Sequence, residues 1–181
     1  LDRRIRPHLR QQPGGAPRIV PFELVVAWAG RHRPGPWEEL ASDYRQRVAR
    51  FVPVRDLPVR ARGAADSPER QRLEAEALRA ATPAGAWTVA LDRRGTAIGS
   101  LALAERMRRW RESWPHGVVF WLGSDLGLDA GLLAEARERL SLGPLTLAHQ
   151  LARLVLYEQL YRALSITAGI GYHRATPDDG S

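Results

Sequence analysis

Apolar and polar positions fall in blocks along the chain, and each block predicts an element. "FELVVAWA" (22–29) is apolar and β-branched between Pro21 and Gly30, as a buried strand should be. "PWEELASDYRQRVARF" (36–51) reads as a helix, with Pro36, Glu38 and Glu39 at its start and Arg50 near its end, as the helix dipole favours. "VPVRDLPV" (52–59) carries Pro53 and Pro58, which suit only an edge strand. "SPERQRLEAEALRAA" (67–81) is a helix opened by a Ser cap and Pro in the first turn. "AWTVALD" (86–92) and "GVVFWLG" (117–123) are strands on either side of the helix "SLALAERMRRWRESW" (100–114). A helix over 129–140 follows Asp129, an irregular apolar segment spans 142–147, and the last helix runs over 149–166.

Strands that alternate with helices predict an α/β domain: a mainly parallel sheet flanked by helices. Ligands of such sheets bind outside the carboxyl ends of the strands. That rule points to the loops after Leu91 and Leu122 and to residues 142–147.

Two of these loops are unusual. "WLGSDLGLD" sets Gly123 and Gly127 between a buried strand and a helix. Its spacing matches neither a phosphate-binding loop nor a dinucleotide fingerprint, so an ordinary turn and a ligand loop both fit. "LSLGPLTLAH" is apolar, yet Gly143-Pro144 breaks regular structure. Its apolar character predicts burial, and its backbone groups then need partners. A core strand interrupted by a turn satisfies that requirement, and so does a ligand with hydrogen-bonding edges.

Between Gln150 and Ile166 the last helix is charged only at Arg153, Glu158 and Arg162. Leucines cover more than one of its faces, which predicts burial nearly all round and a two-fold homodimer through this helix, 149–166. Beyond it stand Tyr172, His173 and Arg174: a stacking ring, a titratable imidazole and a fixed cation.

Composition narrows the chemistry. The chain has 181 residues, 44% hydrophobic and 26% charged, with no cysteine. Disulfides, thiolate metal sites and cysteine nucleophiles are excluded. No HExxH, paired-His spacing or GxSxG occurs, so zinc and serine-hydrolase chemistry have no support. No secretory or membrane-spanning stretch is found, and a cytoplasmic protein is expected. The net charge is +7, and residues 1–21, with five Arg and one Asp, hold +4 of it. They read as a flexible basic extension; the body is mildly basic, which allows a polyanionic partner. The run "RMRRWRESW" fits a solvated helix face with Trp turned to the core.

"LGSDLGL", then "LSLGPLTLAHQLARLVLYEQLYRALSI", then "YHR" resemble the ribosomal large-subunit pseudouridine methyltransferases, the RlmH family of the SPOUT superfamily. The resemblance runs from about Phe22 to Arg174 and is most specific in the last third. It implies a domain over 22–174 followed by a disordered tail, 175–181. It also implies a C-terminal trefoil knot, S-adenosyl-L-methionine as cofactor, a homodimer, and methylation of N3 of a pseudouridine in 23S rRNA within the assembled ribosome. No metal and no membrane enter that picture. Carried over by position, Leu91, Gly123, Gly127, Leu142, Gly143, Pro144, Leu145, Thr146 and Leu147 line the cofactor site. His149, Arg153, Tyr172 and Arg174 face RNA, and Tyr172, His173 and Arg174 form the catalytic trio. The family's loop reads Gly-Gly, a small or Pro residue, an acid, then Gly; here Ser124 stands at the second glycine and the acid shifts by one. A non-catalytic RNA- or ribosome-binding module on the same fold stays open at this point, as does a SPOUT enzyme acting on another RNA such as tRNA.

Overall fold

The computed structural model describes residues 22–61 and 67–171. The basic arm (1–21), the tail (175–181) and the trio Tyr172, His173 and Arg174 lie outside the described residues. In chain order the elements are β1 (Leu24–Ala29), α1 (Pro36–Ala49), β2 (Val54–Val59), α2 (Pro68–Ala81), β3 (Trp87–Ala97) and α3 (Ser100–Ser113). Then come β4 (Val118–Leu122), α4 (Ala130–Glu135), β5 (Glu138–Ser141) and α5 (His149–Thr167).

The strands form one five-stranded sheet in the order β2-β1-β4-β3-β5, with every neighbouring pair parallel. β1 and β4 are central and buried along their whole length. On one face Leu24, Val26, Trp28 and Phe120 pack against α1, α3 and α5. On the other, Val25, Ala27, Val119 and Trp121 meet α2 and α4. Helices on both faces are the reason these strands read as unbroken apolar runs rather than alternating ones. β2 lies at one edge, where Pro58 pairs with Trp28 without needing an outward N–H. Trp110 of α3 is buried while Arg108, Arg109 and Arg111 point outward, as the amphipathic spacing requires.

The expected helix over 129–140 is shorter than its sequence suggests. α4 ends at Glu135 because Ala136 turns extended, and 138–141 becomes the edge strand β5. The stretch "AEARERL" favours a helix by propensity. However, β3 offers it a ladder, Leu140 a buried place, and Glu138 two donors in Trp87 and Arg106. Tertiary pairing overrides a propensity worth tenths of a kcal/mol per residue. β3 also runs beyond the expected strand. Its register on β5 jumps between Leu91 and Thr96, so Asp92–Gly95 loops out and returns. Gly95 is required there: a Cβ would lie 2.8 Å from the backbone of Arg139 and Leu140.

α5 lies between α1 and α3. It buries Leu156, Tyr157, Leu160, Ala163 and Leu164, whereas Leu154, Val155 and Tyr161 are half-buried. Its burial within one chain is thus deep on one face and partial elsewhere, not complete all round. Among the described residues no helix is long and apolar enough to cross a membrane.

Under the start of α5 is a buried polar cluster. Arg153 grips Asp56 through Nε (3.0 Å) and Nη2 (2.6 Å), and Glu38 through Nη1 (2.7 Å). Tyr157 Oη donates to Asp56 at 2.6 Å, and Trp28 Nε1 at 3.2 Å. His32 bridges Glu38 (2.8 Å) and Asp56 (3.3 Å). Burial pushes the Tyr157 hydroxyl strongly upward, with the Asp56 charge adding to it. Burial also tends to raise Glu38, but Arg153 and His32 outweigh it and hold the carboxyl below its usual range. A depressed carboxylate stabilises the fold above its unfolded pKa, near 4.3. That contribution fades as the pH falls through the lower folded value. Glu38→Gln is therefore expected to be about 1–2 kcal/mol less stable than the parent at pH 7. The gap should narrow between pH 5 and 3 in urea titrations, and a gap independent of pH would contradict the pairing.

Candidate functional site

All five strands point the same way, so the loops that follow them gather on one edge of the sheet. That edge carries two openings. The smaller is a cavity of about 240 Å³ lined by Leu91, Ile98, Leu140, Leu142, Gly143 and Gln159, among others. Its walls are mainly apolar. Ser141, itself buried, fastens the rim: its Oγ accepts the Gly143 amide (3.1 Å) and lies 3.2 and 2.9 Å from the carbonyls of Arg93 and Gly143. One hydroxyl thereby ties the Asp92–Gly95 excursion to the segment after β5.

The larger opening is a cleft of about 710 Å³ between the ends of β1 and β2 and the turn after β4. Arg31, Arg33, Arg60, Ser124, Asp125 and His149 are among its lining residues. The segment from Leu142 to Gln150 borders both openings: Leu142 and Gly143 face the cavity, His149 and Gln150 the cleft.

The turn after β4 is held by close backbone approach. Gly127 donates to the Ser124 carbonyl at 3.0 Å. A Cβ on Gly123 would lie 2.4 Å from the Gly127 carbonyl carbon, so only glycine fits. Ser124, where the family pattern has glycine, is tied into α2. Its Oγ donates to Glu74 (2.8 Å) and accepts from Arg70 (3.1 Å) and the Leu126 amide (3.3 Å). Arg70 also reaches Asp125 at 2.6 Å and, mainly through that hydrogen bond, holds its carboxyl below the usual range. Ser124→Gly is expected to lower stability by about 1–2 kcal/mol, since nearly buried Glu74 loses a donor. A urea midpoint that does not fall would show that the serine strains the turn instead.

The predicted cofactor residues are thus divided by the fold. Leu91, Leu142 and Gly143 line the cavity. Gly123 and Gly127 shape the turn and line neither of the two openings. Pro144, Leu145 and Thr146 are exposed and Leu147 half-buried, with Leu145 75% exposed. The segment was expected to be buried because it is apolar. Instead it arches over the sheet edge, because Gly143 turns the chain outward at φ 125° before α5 begins. Among the described residues no hydrogen bond engages the amides of Leu145, Thr146 and Leu147. An apolar slot of this kind suits a ligand with a flat ring.

Among the residues expected to face RNA, His149 lines the cleft. Arg153 does not face outward: it is 3% exposed and spent on Asp56 and Glu38. The reason is physical, since the Asp56 side chain is fully buried and needs a cation. Sequence reasoning passed over Arg31, Arg33 and Arg60, although "GRHRPG" and "VRARG" follow directly on strands. The position of an Arg at a strand's carboxyl end was the available signal. Among the described residues no cluster of His, Asp and Glu could hold a metal ion.

Over residues 22–173 the chain matches the family described as predicted SPOUT methyltransferases. It is 41% identical to a ribosomal RNA large subunit methyltransferase H from Rhodospirillum centenum, over 85% of this chain and 100% of that one. A methyltransferase of the same name from Methylobacterium radiotolerans is 42% identical, over 84% and 98%. One from an Anaeromyxobacter species is 41% identical, over 84% and 100%.

Proposed function

The chain belongs to the SPOUT methyltransferases, in the family of ribosomal RNA large subunit methyltransferase H. From that premise we propose that it methylates N3 of a pseudouridine in 23S rRNA, with S-adenosyl-L-methionine as the donor. The observation that carries this reading is the apolar cavity at the carboxyl edge of the sheet, bordered by Leu91, Leu142 and Gly143. The adenosyl group would stack between Leu91, Ile98 and Leu142.

S-Adenosyl-L-methionine supplies an electrophilic methyl on a sulfonium. In the overall exchange the sulfur–methyl bond breaks, the nitrogen–methyl bond forms, and the proton on N3 leaves to a base. The chain's part is to hold the nucleophile in line and to take that proton. We assign the proton to His173, a phosphate grip to Arg174 and base stacking to Tyr172. These three lie outside the described residues, and their roles rest on the family pattern "YHR".

The same proposal includes the C-terminal trefoil knot and a homodimer through α5. The family match over residues 22–173 supports the first. For the second there are the half-buried leucine-rich outer faces of α5, and beside it on α1 Trp37 and Leu40, 48% and 46% exposed.

The decisive measurement is methylation of large ribosomal subunits from a strain lacking this modification. Purified protein and S-adenosyl-L-methionine should yield one methylated pseudouridine by mass spectrometry. Absence of methyl transfer, with intact donor binding by calorimetry, would overturn the catalytic reading in favour of a non-catalytic binder. His173→Ala is expected to slow single-turnover transfer by about 10²–10⁴-fold; an unchanged rate would remove the base role.

A further inference from the structure

The structure separates neutralised from unneutralised arginine. On the helix surfaces the guanidinium groups are mostly paired. Arg47 meets Asp43, Arg72 meets Glu76, Arg79 meets Glu135, and Arg108 lies between Glu105 and Glu112. At the carboxyl edge of the sheet the pattern reverses. Arg31 and Arg33 follow β1, Arg60 follows β2, and Arg93 and Arg94 sit on the excursion in β3. All five are exposed, and among the described residues none has a carboxylate within 4 Å. Arg31, Arg33 and Arg60 line one and the same cleft, beside His149. Arg70, deeper on its α2 side, is already held by Glu74 and Asp125. The cleft is therefore cationic at its rim and compensated at its floor.

We propose that this cleft seats the RNA backbone, with Arg31, Arg33 and Arg60 on successive phosphates and Arg93 and Arg94 continuing the track along the same edge. The inference rests on the reading of rRNA as substrate and adds the surface that holds it. Three arguments support it. Exposed guanidinium groups without carboxylate partners match phosphate, because their planar fork offers paired donors. The cleft's 710 Å³ exceeds the roughly 300 Å³ at which ligand pockets begin, so a nucleotide fits. And the segment Leu142–Gln150 links the two openings, its first residues lining the donor cavity and its last the cleft. A strand lying in the cleft would thus meet the end of the same segment whose start borders the donor cavity. Arg153, which sequence reasoning set against RNA, is instead a positioning residue beneath this segment.

The test compares the full chain with a variant carrying Arg31→Gln, Arg33→Gln and Arg60→Gln. The probes are large ribosomal subunits and protein-free 23S rRNA, with binding followed from 50 to 200 mM salt. Each lost phosphate contact should flatten the slope of log affinity against log salt by about 0.7–0.9, so a fall of about 2–3 is expected. KM for subunits should rise at least tenfold, while affinity for S-adenosyl-L-methionine by calorimetry stays unchanged. Arg108→Gln, on a compensated helix surface, should leave the slope as it is. The single change Arg60→Gln should give about a third of the effect, which guards against misfolding of the triple variant. A wild-type slope in the triple variant overturns the proposal. So does a parallel loss of donor affinity, which would assign the cleft to the donor, or a loss confined to intact subunits, which would assign it to an acidic ribosomal protein. If the parent protein neither binds nor methylates subunits, the rRNA reading itself fails, and that outcome is visible before any variant is compared.

Discussion

Arg153→Met is expected to destabilise the fold by about 3–5 kcal/mol. The methionine roughly fills the space of the arginine stem but leaves the Asp56 carboxylate, fully buried, without its bidentate partner. Tyr157, Trp28 and His32 still face Asp56, yet the first two are neutral donors and cannot replace a charge. Glu38 loses its short contact as well. Part of the loss would be recovered by changing Asp56 to Asn in the same chain, since removing both charges is far cheaper than orphaning one. Urea unfolding of the single and double variants measures this directly. A stable Arg153→Met protein with weakened ribosome binding would show that the side chain leaves its pocket to meet RNA.

Gly123→Ala is expected to cost about 1–3 kcal/mol, as overpacking against an unyielding neighbour does. The added methyl would meet the Gly127 carbonyl carbon at 2.4 Å and its oxygen at 2.6 Å. Both belong to the backbone, so no side chain can swing aside. The turn has to open, and the Gly127–Ser124 hydrogen bond goes with it. For a chain of this size the melting temperature should fall by roughly 2–12 °C. Gly171→Ala is the control: nothing lies within 4 Å of its Cβ position, and its effect should stay within about 0.5 kcal/mol. Equal melting temperatures for the two variants would contradict the close approach.

The alternation of strands and helices pointed to the loops at the carboxyl edge, and two openings lie there. The resemblance grouped Leu91, Leu142 and Gly143, and in the fold these three line one cavity. The exposure of Leu145 was not legible in the sequence, because hydropathy records how apolar a residue is and not whether a partner exists to cover it. Nor was β5: Glu138, Arg139 and Leu140, all strong helix formers, become a strand with Ser141 only because β3 has an open edge.

By itself the sequence determined the local elements and the two-faced apolar strands, since side-chain spacing and turn residues act over a few positions. It also determined the family, through a run of residues in the last third. Only the tertiary structure decided which charges are spent and which remain. Arg153 and Asp56 are 97 residues apart, and no local pattern reveals their pairing. The same folding that neutralises Arg153 leaves Arg31, Arg33 and Arg60 side by side at one cleft. Charge compensation is a property of distances in space, and those are set when the sheet closes.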